Sequence, residues 1–334
     1  MANPRIVPED QARPGDRIAD LTIHEPRANI DALGIDKHVV KLGEPFDALL
    51  CLQGGALRAI YSAGVLDTFL DMGLSFRQVV GVSAGTLMSI DYVCGDRGAS
   101  AYTNLVYAGD PRYMGFKDLI FKQQIFNFDF MFGEVASYLM PFDPDRFFNS
   151  PMSLIAVATN CTNGTPSYFD LGRPGTTMQD MTSAASASSS MPLLSKMTYV
   201  NDVPHLDGGI TDPLGMGPAR EAIAQGRKVV FVSTRERGFR KPPESERMKR
   251  IYRRAYAGYP ELAEKLCRMN ELCNEELAEA DELAAAGKAF VIHPIVPPTV
   301  GHTEKDTGKL RALYEQGAYE ARAQLPALIA YLQG

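Results

Sequence analysis

Between an apolar run at 76–82 and a helical stretch at 84–94, the chain reads Gly81-Val82-Ser83-Ala84-Gly85. A strand that passes directly into a helix predicts a tight turn at Ser83, with its hydroxyl exposed above the edge of a sheet. The two glycines give this turn room, because side chains there would collide. The segment therefore indicates a candidate nucleophile in an α/β fold, although an ordinary Gly-Ser turn before a helix has the same pattern.

A Gly-rich turn lies upstream of the serine. The apolar run 46–52 predicts a buried strand, Gly54 and Gly55 follow it, and a helical stretch comes next. The G-x-G-x-x-G spacing of a dinucleotide site is absent, so we expect no such cofactor. Backbone N–H groups at Gly54, Gly55 and Ala56 are candidates to hold an oxyanion. Arg58 adds positive charge there, and a purely structural role between loop and helix is an equal alternative.

A candidate base stands in a third turn, Asp207-Gly208-Gly209. A carboxylate followed by two glycines lies where the backbone can approach closely, which suits a group that accepts a proton from a nucleophile. Taken alone, the same pattern is typical of an ordinary Asx turn.

The three turns together resemble the patatin-like phospholipase family, whose pattern is G-G-G-x-R/K-G, then G-x-S-x-G, then D-G-G or D-G-A. This chain has them in order at 54–59, 81–85 and 207–209, and similar segments at 158–164 and 184–192. It departs from the pattern at Ala56 and Ala59, where the family has glycine. The methyl group of Ala56 narrows the expected oxyanion loop.

The resemblance implies a three-layer α/β/α fold with a mostly parallel central sheet. It also implies a lipid acyl hydrolase that forms an acyl-enzyme on Ser83, with Asp207 as general base and no histidine. The expected substrate is a lipid ester, and neither a metal nor a cofactor is required. Gly54, Gly55, Ala56 and Arg58 would then bind the oxyanion or the substrate.

Two alternatives to this mechanism stay open. The order Ser83, Asp207, then His293 or His302 also fits the triad of an ordinary α/β-hydrolase. The alanines at 56 and 59 equally fit a lipid-binding regulatory protein with weak turnover. Replacing each histidine separately distinguishes the two enzymes, because a triad loses most of its rate without its histidine.

Composition limits the class of protein. The chain has 334 residues, 45% hydrophobic and 22% charged, as is ordinary for a globular protein. Its net charge of −6 gives no reason to expect a nucleic-acid partner. The five cysteines lack C-x-x-C spacing, which favours reduced thiols. We expect a cytoplasmic protein, because the sequence shows neither a secretory h-region nor a run of eighteen apolar residues.

Apolar runs and helical stretches alternate along the chain, which predicts parallel strands covered by helices. We expect an N-terminal arm at 1–44, a catalytic core at 45–240, and a helical region with a further strand at 241–334. A terminal helix is predicted at 304–332, begun by a capping box from Thr303 to Asp306. Strands are predicted at 46–52, 76–82, 153–159, 228–233 and 289–293, and helices within 243–286 that break near 258–260.

Two further segments bear on the substrate. Residues 113–148 hold nine of the sixteen phenylalanines, which favours an acyl-binding wall or lid over plain core packing. Residues 235–254 carry nine Lys or Arg against three Glu, with apolar residues between them. A solvated helix face is the slightly favoured interpretation, and peripheral contact with an anionic membrane is the alternative.

Overall fold

The computed structural model describes residues 34–113, 127–139 and 142–334. Within them, eight strands form one sheet in the order β10-β9-β2-β3-β5-β8-β7, with β6 paired to β5. These strands are β2 (Phe46–Leu52), β3 (Phe76–Val82), β5 (Ser153–Asn160), β6 (Thr165–Asp170), β7 (Thr198–Val200), β8 (Val203–Asp207), β9 (Lys228–Val232) and β10 (Phe290–Ile292). A separate ribbon pairs β1 (His38–Val39) with β4 (Asp96–Arg97).

The pairings from β10 through β9, β2 and β3 to β5 are parallel, and those that involve β6, β7 and β8 are antiparallel. The predicted mostly parallel sheet is therefore confirmed. The helices are α1 (Ile60–Asp71), α2 (Ala84–Cys94), α3 (Ala99–Tyr107), α4 (Pro144–Phe148), α5 (Met178–Ser189), α6 (Met216–Ala224), α7 (Glu246–Ala255), α8 (Pro260–Ala285) and α9 (Thr307–Gln333), with a π-helical segment at Phe130–Leu139.

Helices cover both faces of the sheet, as the three-layer fold requires. Successive strand side chains point to opposite faces, and Leu50 and Leu52 of β2 accordingly pack with α1, α2, α3 and α9. Leu49 and Cys51 of the same strand pack on the other face with α6 and α8. Continuous apolar runs such as 46–52 are thus buried on both sides, as is usual in parallel sheets.

The register of β5 places the two candidate catalytic residues side by side. β3 runs parallel to β5 and ends where Val82 pairs with Val157. β8 runs antiparallel along the same edge and ends where Asp207 pairs with Ala158, one residue further. The two strands therefore end head to head, which brings Ser83 and Asp207 together from 124 residues apart.

The C-terminal region is joined to the core through the sheet and through buried contacts. β10 extends the central sheet by pairing with β9. α9 crosses α1 so closely that a Cβ on Gly317 would lie 2.1 Å from the carbonyl oxygen of Tyr61. On the opposite face, Glu276 of α8 accepts a hydrogen bond from the amide of Leu214 at 3.0 Å.

One predicted helix start is wrong. The terminal helix does not begin from a capping box at Thr303 but at Thr307, with Asp306 as its N-cap. The Asp306 carboxylate accepts from the amides of Gly308 and Lys309. Asp306 therefore caps the helix, whereas the sequence pattern had predicted it inside the first turn. Of the predicted N-terminal arm, residues 1–33 lie outside the described residues.

Candidate active site

Ser83 lies on a strained turn between β3 and α2. Its backbone has φ 55° and ψ −128°, a conformation that L-residues adopt only when the surroundings enforce it. The glycines on either side explain how it is tolerated. A Cβ on Gly81 would lie 2.4 Å from Cα of Thr86, and one on Gly85 would lie 2.3 Å from the carbonyl oxygen of Leu52. The predicted elbow is therefore present.

The Ser83 hydroxyl donates to the Asp207 carboxylate, with 2.6 Å between Oγ and Oδ2. Asp207 is 8% exposed, and this burial raises the pKa of its carboxyl to about 6. The hydrogen bonds from Ser83 and from the Gly209 amide oppose that shift. The carboxyl remains ionised near neutral pH and has a far higher proton affinity than an exposed aspartate.

Contacts of both its side chain and its backbone hold Asp207 in place, in addition to the hydrogen bond with Ser83. Its Oδ1 accepts from the Gly209 amide at 2.8 Å, and its carbonyl accepts from the Thr159 hydroxyl at 2.8 Å. A Cβ on Gly208 would lie 2.2 Å from the Val157 carbonyl oxygen, so the turn presses directly on β5. Glycine at this position allows the close approach that the sequence indicated.

Ser188 on α5 supports the nucleophile from the other side. The Ser83 amide donates to Ser188 Oγ at 2.9 Å, and that oxygen lies 2.8 Å from Thr86 Oγ1. Ser188 was not predicted as a site residue. It lies in the serine-rich segment 184–192, which resembles the family pattern but does not by itself indicate a contact with Ser83.

Gly54 lies directly against Ser83. A Cβ there would be 2.7 Å from Ser83 Cβ and 3.4 Å from its Oγ. The amides of Gly54, Gly55 and Ala56 donate to no acceptor in the described ranges, so they are available to an oxyanion. Ala56 has φ 49°, in the left-handed region that favours glycine. The alanine at the third position of the loop thus keeps a glycine-like conformation at a cost in strain.

Two residues that were not predicted hold this loop in place. The Gln53 Oε1 accepts from the Thr234 amide at 2.9 Å and from the Ser233 hydroxyl at 3.0 Å. Thr234 Oγ1 donates to the Gly54 carbonyl at 2.7 Å. Since these partners are about 180 residues apart in sequence, no local pattern could reveal them.

Arg58 is buried beside the loop and is 6% exposed. Its Nε has no hydrogen-bond partner within the described residues. Burial, and after it the charge of nearby Arg235, lower the pKa of Arg58 to about 10. Both predicted roles, substrate binding and structural support, are compatible with this position.

Within the part of the chain that the structure describes, no histidine side chain is hydrogen-bonded to Ser83 or Asp207. The Asp207 carboxylate accepts from Ser83 and Gly209 there. His293 lies 3.0 Å from Asp281 Oδ1 through Nε2 and contacts the Arg235 carbonyl through Nδ1. The geometry therefore gives no support to a triad through His293.

A cavity of about 400 Å³ opens at Ser83. Parts of the aromatic segment 113–148 form one wall, where Phe128, Met131, Phe132 and Val135 face the cavity. Phe147 of the same segment packs in the core instead, so the segment contributes both to the cavity wall and to the core. Residues 114–126, 140 and 141 lie outside the described residues.

Among the described residues, no cluster of His, Cys, Asp or Glu is arranged to hold a metal ion. None of the helices described is long and apolar enough to cross a bilayer. The five cysteines are buried and free of disulfides.

Comparison with known proteins agrees with this arrangement. A family model, Patatin-like phospholipase, matches residues 50–220, and a domain of unknown function, DUF6363, matches 259–333. Because the first match spans half of the chain, the protein belongs to the patatin-like phospholipase family.

One relative is the uncharacterized protein YjjU of Escherichia coli K12, 29% identical over 190 residues, or 55% of this chain. The match spans 50% of that relative's length. Among solved structures, the match to VipD from Legionella pneumophila covers 88% of this chain and 70% of the VipD chain. The TM-score is 0.40 and the sequence identity is 13%.

Proposed function

We propose that the protein is a lipid acyl hydrolase that uses Ser83 and Asp207 as a catalytic dyad. The observation that carries the proposal is the 2.6 Å contact between Ser83 Oγ and a buried carboxylate with a raised pKa. A nucleophile beside a base of suitable proton affinity is the requirement for covalent acyl transfer. Family membership makes a lipid ester the expected substrate.

In the proposed reaction, Ser83 Oγ attacks the ester carbonyl carbon and its proton passes to Asp207 Oδ2. The amides of Gly54, Gly55 and Ala56 donate to the carbonyl oxygen as it becomes negative. Collapse of the tetrahedral intermediate breaks the bond to the leaving alcohol, which takes the proton back from Asp207. Water then attacks the acyl carbonyl carbon and gives its proton to Asp207. Collapse of this second intermediate breaks the bond to Ser83 Oγ, which takes the proton from Asp207 as the fatty acid leaves.

The test compares Ser83→Ala and Asp207→Asn with wild type, using a short-chain chromogenic ester and a fluorophosphonate probe. Each substitution should lower kcat by about a thousandfold or more, and Ser83→Ala should abolish labelling. Asp202→Asn, in an exposed turn, is the matched control and should leave both unchanged. Turnover by pure, folded Ser83→Ala protein at the wild-type rate would disprove the assignment.

We further propose that the basic segment 235–254 contacts anionic membranes. Arg247, Arg250 and Arg254 on α7 are exposed and form no ion pair with the described residues, and Ile251 beside them is 37% exposed. Two other cations are paired, Lys249 with Glu246 and Arg253 with Glu264. The three unpaired arginines therefore remain for phosphate groups.

Vesicle sedimentation tests this contact. Changing the three unpaired arginines of α7 together to Gln should release the protein from anionic vesicles at low salt, while hydrolysis of a soluble ester is unchanged. Lys41, Lys196 and Lys288, also exposed, provide a control triple change to Gln that removes the same charge elsewhere. If the two triple variants bind anionic vesicles equally, the membrane contact of α7 is contradicted and α7 is a solvated helix face.

A further inference from the structure

The cavity at Ser83 follows one face of α2. Ala84, Leu87, Met88 and Asp91 all line it, and their spacing places them on a single side of the helix. The first three are apolar, and the aromatic wall described above faces them. A chain that begins at Ser83 and follows this helix therefore meets an apolar surface until it reaches Asp91.

The far end of the cavity is polar. Asp91 stands eight residues after Ser83, which corresponds to about 12 Å along a helix. Ser100, Thr103 and Asn104 of α3 line the same cavity. The Ser100 hydroxyl donates to Asp91 Oδ2 in a short hydrogen bond.

Asp91 lacks the compensation that its neighbours have. Asp96, at the same end of the cavity, is paired with Arg146. Asp91 has no cationic partner among the described residues, and the charges that act on it are those of Asp96 and Asp67, both acidic. Burial raises the pKa of its carboxyl to about 7. A methyl group pressed against this carboxyl would remove its remaining hydration and offer no hydrogen bond in return.

We infer that Asp91 limits the length of the acyl chain, so that the cavity selects medium-chain acyl groups. An extended alkyl chain advances about 1.25 Å for each C–C bond of about 1.5 Å, so about 12 Å along the apolar face of α2 accommodates about ten carbons. Longer chains must either desolvate the carboxyl or bend away from it. This inference rests on the proposed function, because it takes Ser83 as the point where the acyl group is attached.

The test measures kcat/KM for p-nitrophenyl esters from C4 to C16, below their micellar concentrations. Wild type should have its maximum near C8 to C10 and lose about tenfold or more by C16. Asp91→Leu should move the maximum to longer chains. Asp91→Asn, which keeps the size and polarity of the side chain, is the matched control and should retain the wild-type maximum.

A second variant protects the test against misfolding. Asp91→Leu leaves the Ser100 hydroxyl without its acceptor, so Asp91→Leu with Ser100→Ala removes both polar groups together. A binding measurement separates this inference from the proposed chemistry: fatty acids of increasing length displace a fluorescent fatty acid from Ser83→Ala protein. Affinity should stop rising near ten carbons and should continue to rise when Asp91→Leu is added.

The outcomes are distinct. Hydrolysis that increases steadily to C16 in wild type, or a length profile that Asp91→Leu leaves unchanged, would overturn the role of Asp91 and leave the hydrolase assignment intact. Absence of hydrolysis together with a binding limit near ten carbons would overturn the hydrolase assignment and support the role of Asp91.

Discussion

A methyl group added at Gly54 should displace the nucleophile without removing any catalytic group. The Cβ of Gly54→Ala would lie 2.7 Å from both Ser83 Cβ and the Val82 carbonyl oxygen. Carbon atoms in contact prefer about 3.5–4.0 Å, so the serine or the loop must move by about 1 Å. A displacement of about 1 Å in a reacting group costs about a hundredfold in rate.

The assay is kcat/KM for a short-chain ester, together with the rate of fluorophosphonate labelling. Both should fall about a hundredfold, because both reactions require Ser83 in position beside the oxyanion loop. Gly258→Ala is the matched control, since its Cβ would meet no atom within 4 Å. Wild-type kcat/KM and labelling in folded Gly54→Ala protein would refute the proposed contact between loop and nucleophile.

Two further predictions concern pH and strain. Since Asp207 must be ionised to accept a proton and its pKa is about 6, kcat/KM should be level above pH 6 and fall about tenfold per unit below it; a profile that stays level down to pH 4 would contradict this. Ala56→Gly should relieve about 1–2 kcal/mol of left-handed strain and lose about 0.4–1 kcal/mol to the freer unfolded chain. The expected net gain is about 0.5–1 kcal/mol in the free energy of urea unfolding, and a loss of stability would show that the Ala56 methyl makes a favourable contact.

The buried parallel strands could be predicted from the sequence because their side chains are apolar on both faces. The predicted bounds 46–52 and 76–82 agree with β2 and β3, and the helix at 84–94 agrees with α2. Glycine at 81 and 85 marked the elbow because only a residue without Cβ fits there. These local signals were sufficient to locate Ser83.

The antiparallel side of the sheet could not be predicted in the same way. β6 is only partly buried and β8 contains Pro204 and His205, so neither has the apolar run of a buried strand. The supports of the oxyanion loop, Gln53 and Thr234, interact through hydrogen bonds across most of the chain. Such contacts depend on the complete topology, and a single sequence gives no sign of them.

The hydrogen bond between Glu276 and the Leu214 amide has a consequence for how this protein can be divided. Glu276 belongs to the segment matched as DUF6363, whereas Leu214 lies within the patatin segment, seven residues after Asp207. The loop that follows the Asp207 turn is thus bonded to a helix outside the patatin match. A chimera that transplants residues 50–220 onto a foreign C-terminal region would keep every motif and lose that support. We therefore expect residues 50–220 to be less stable in such a chimera than in this chain.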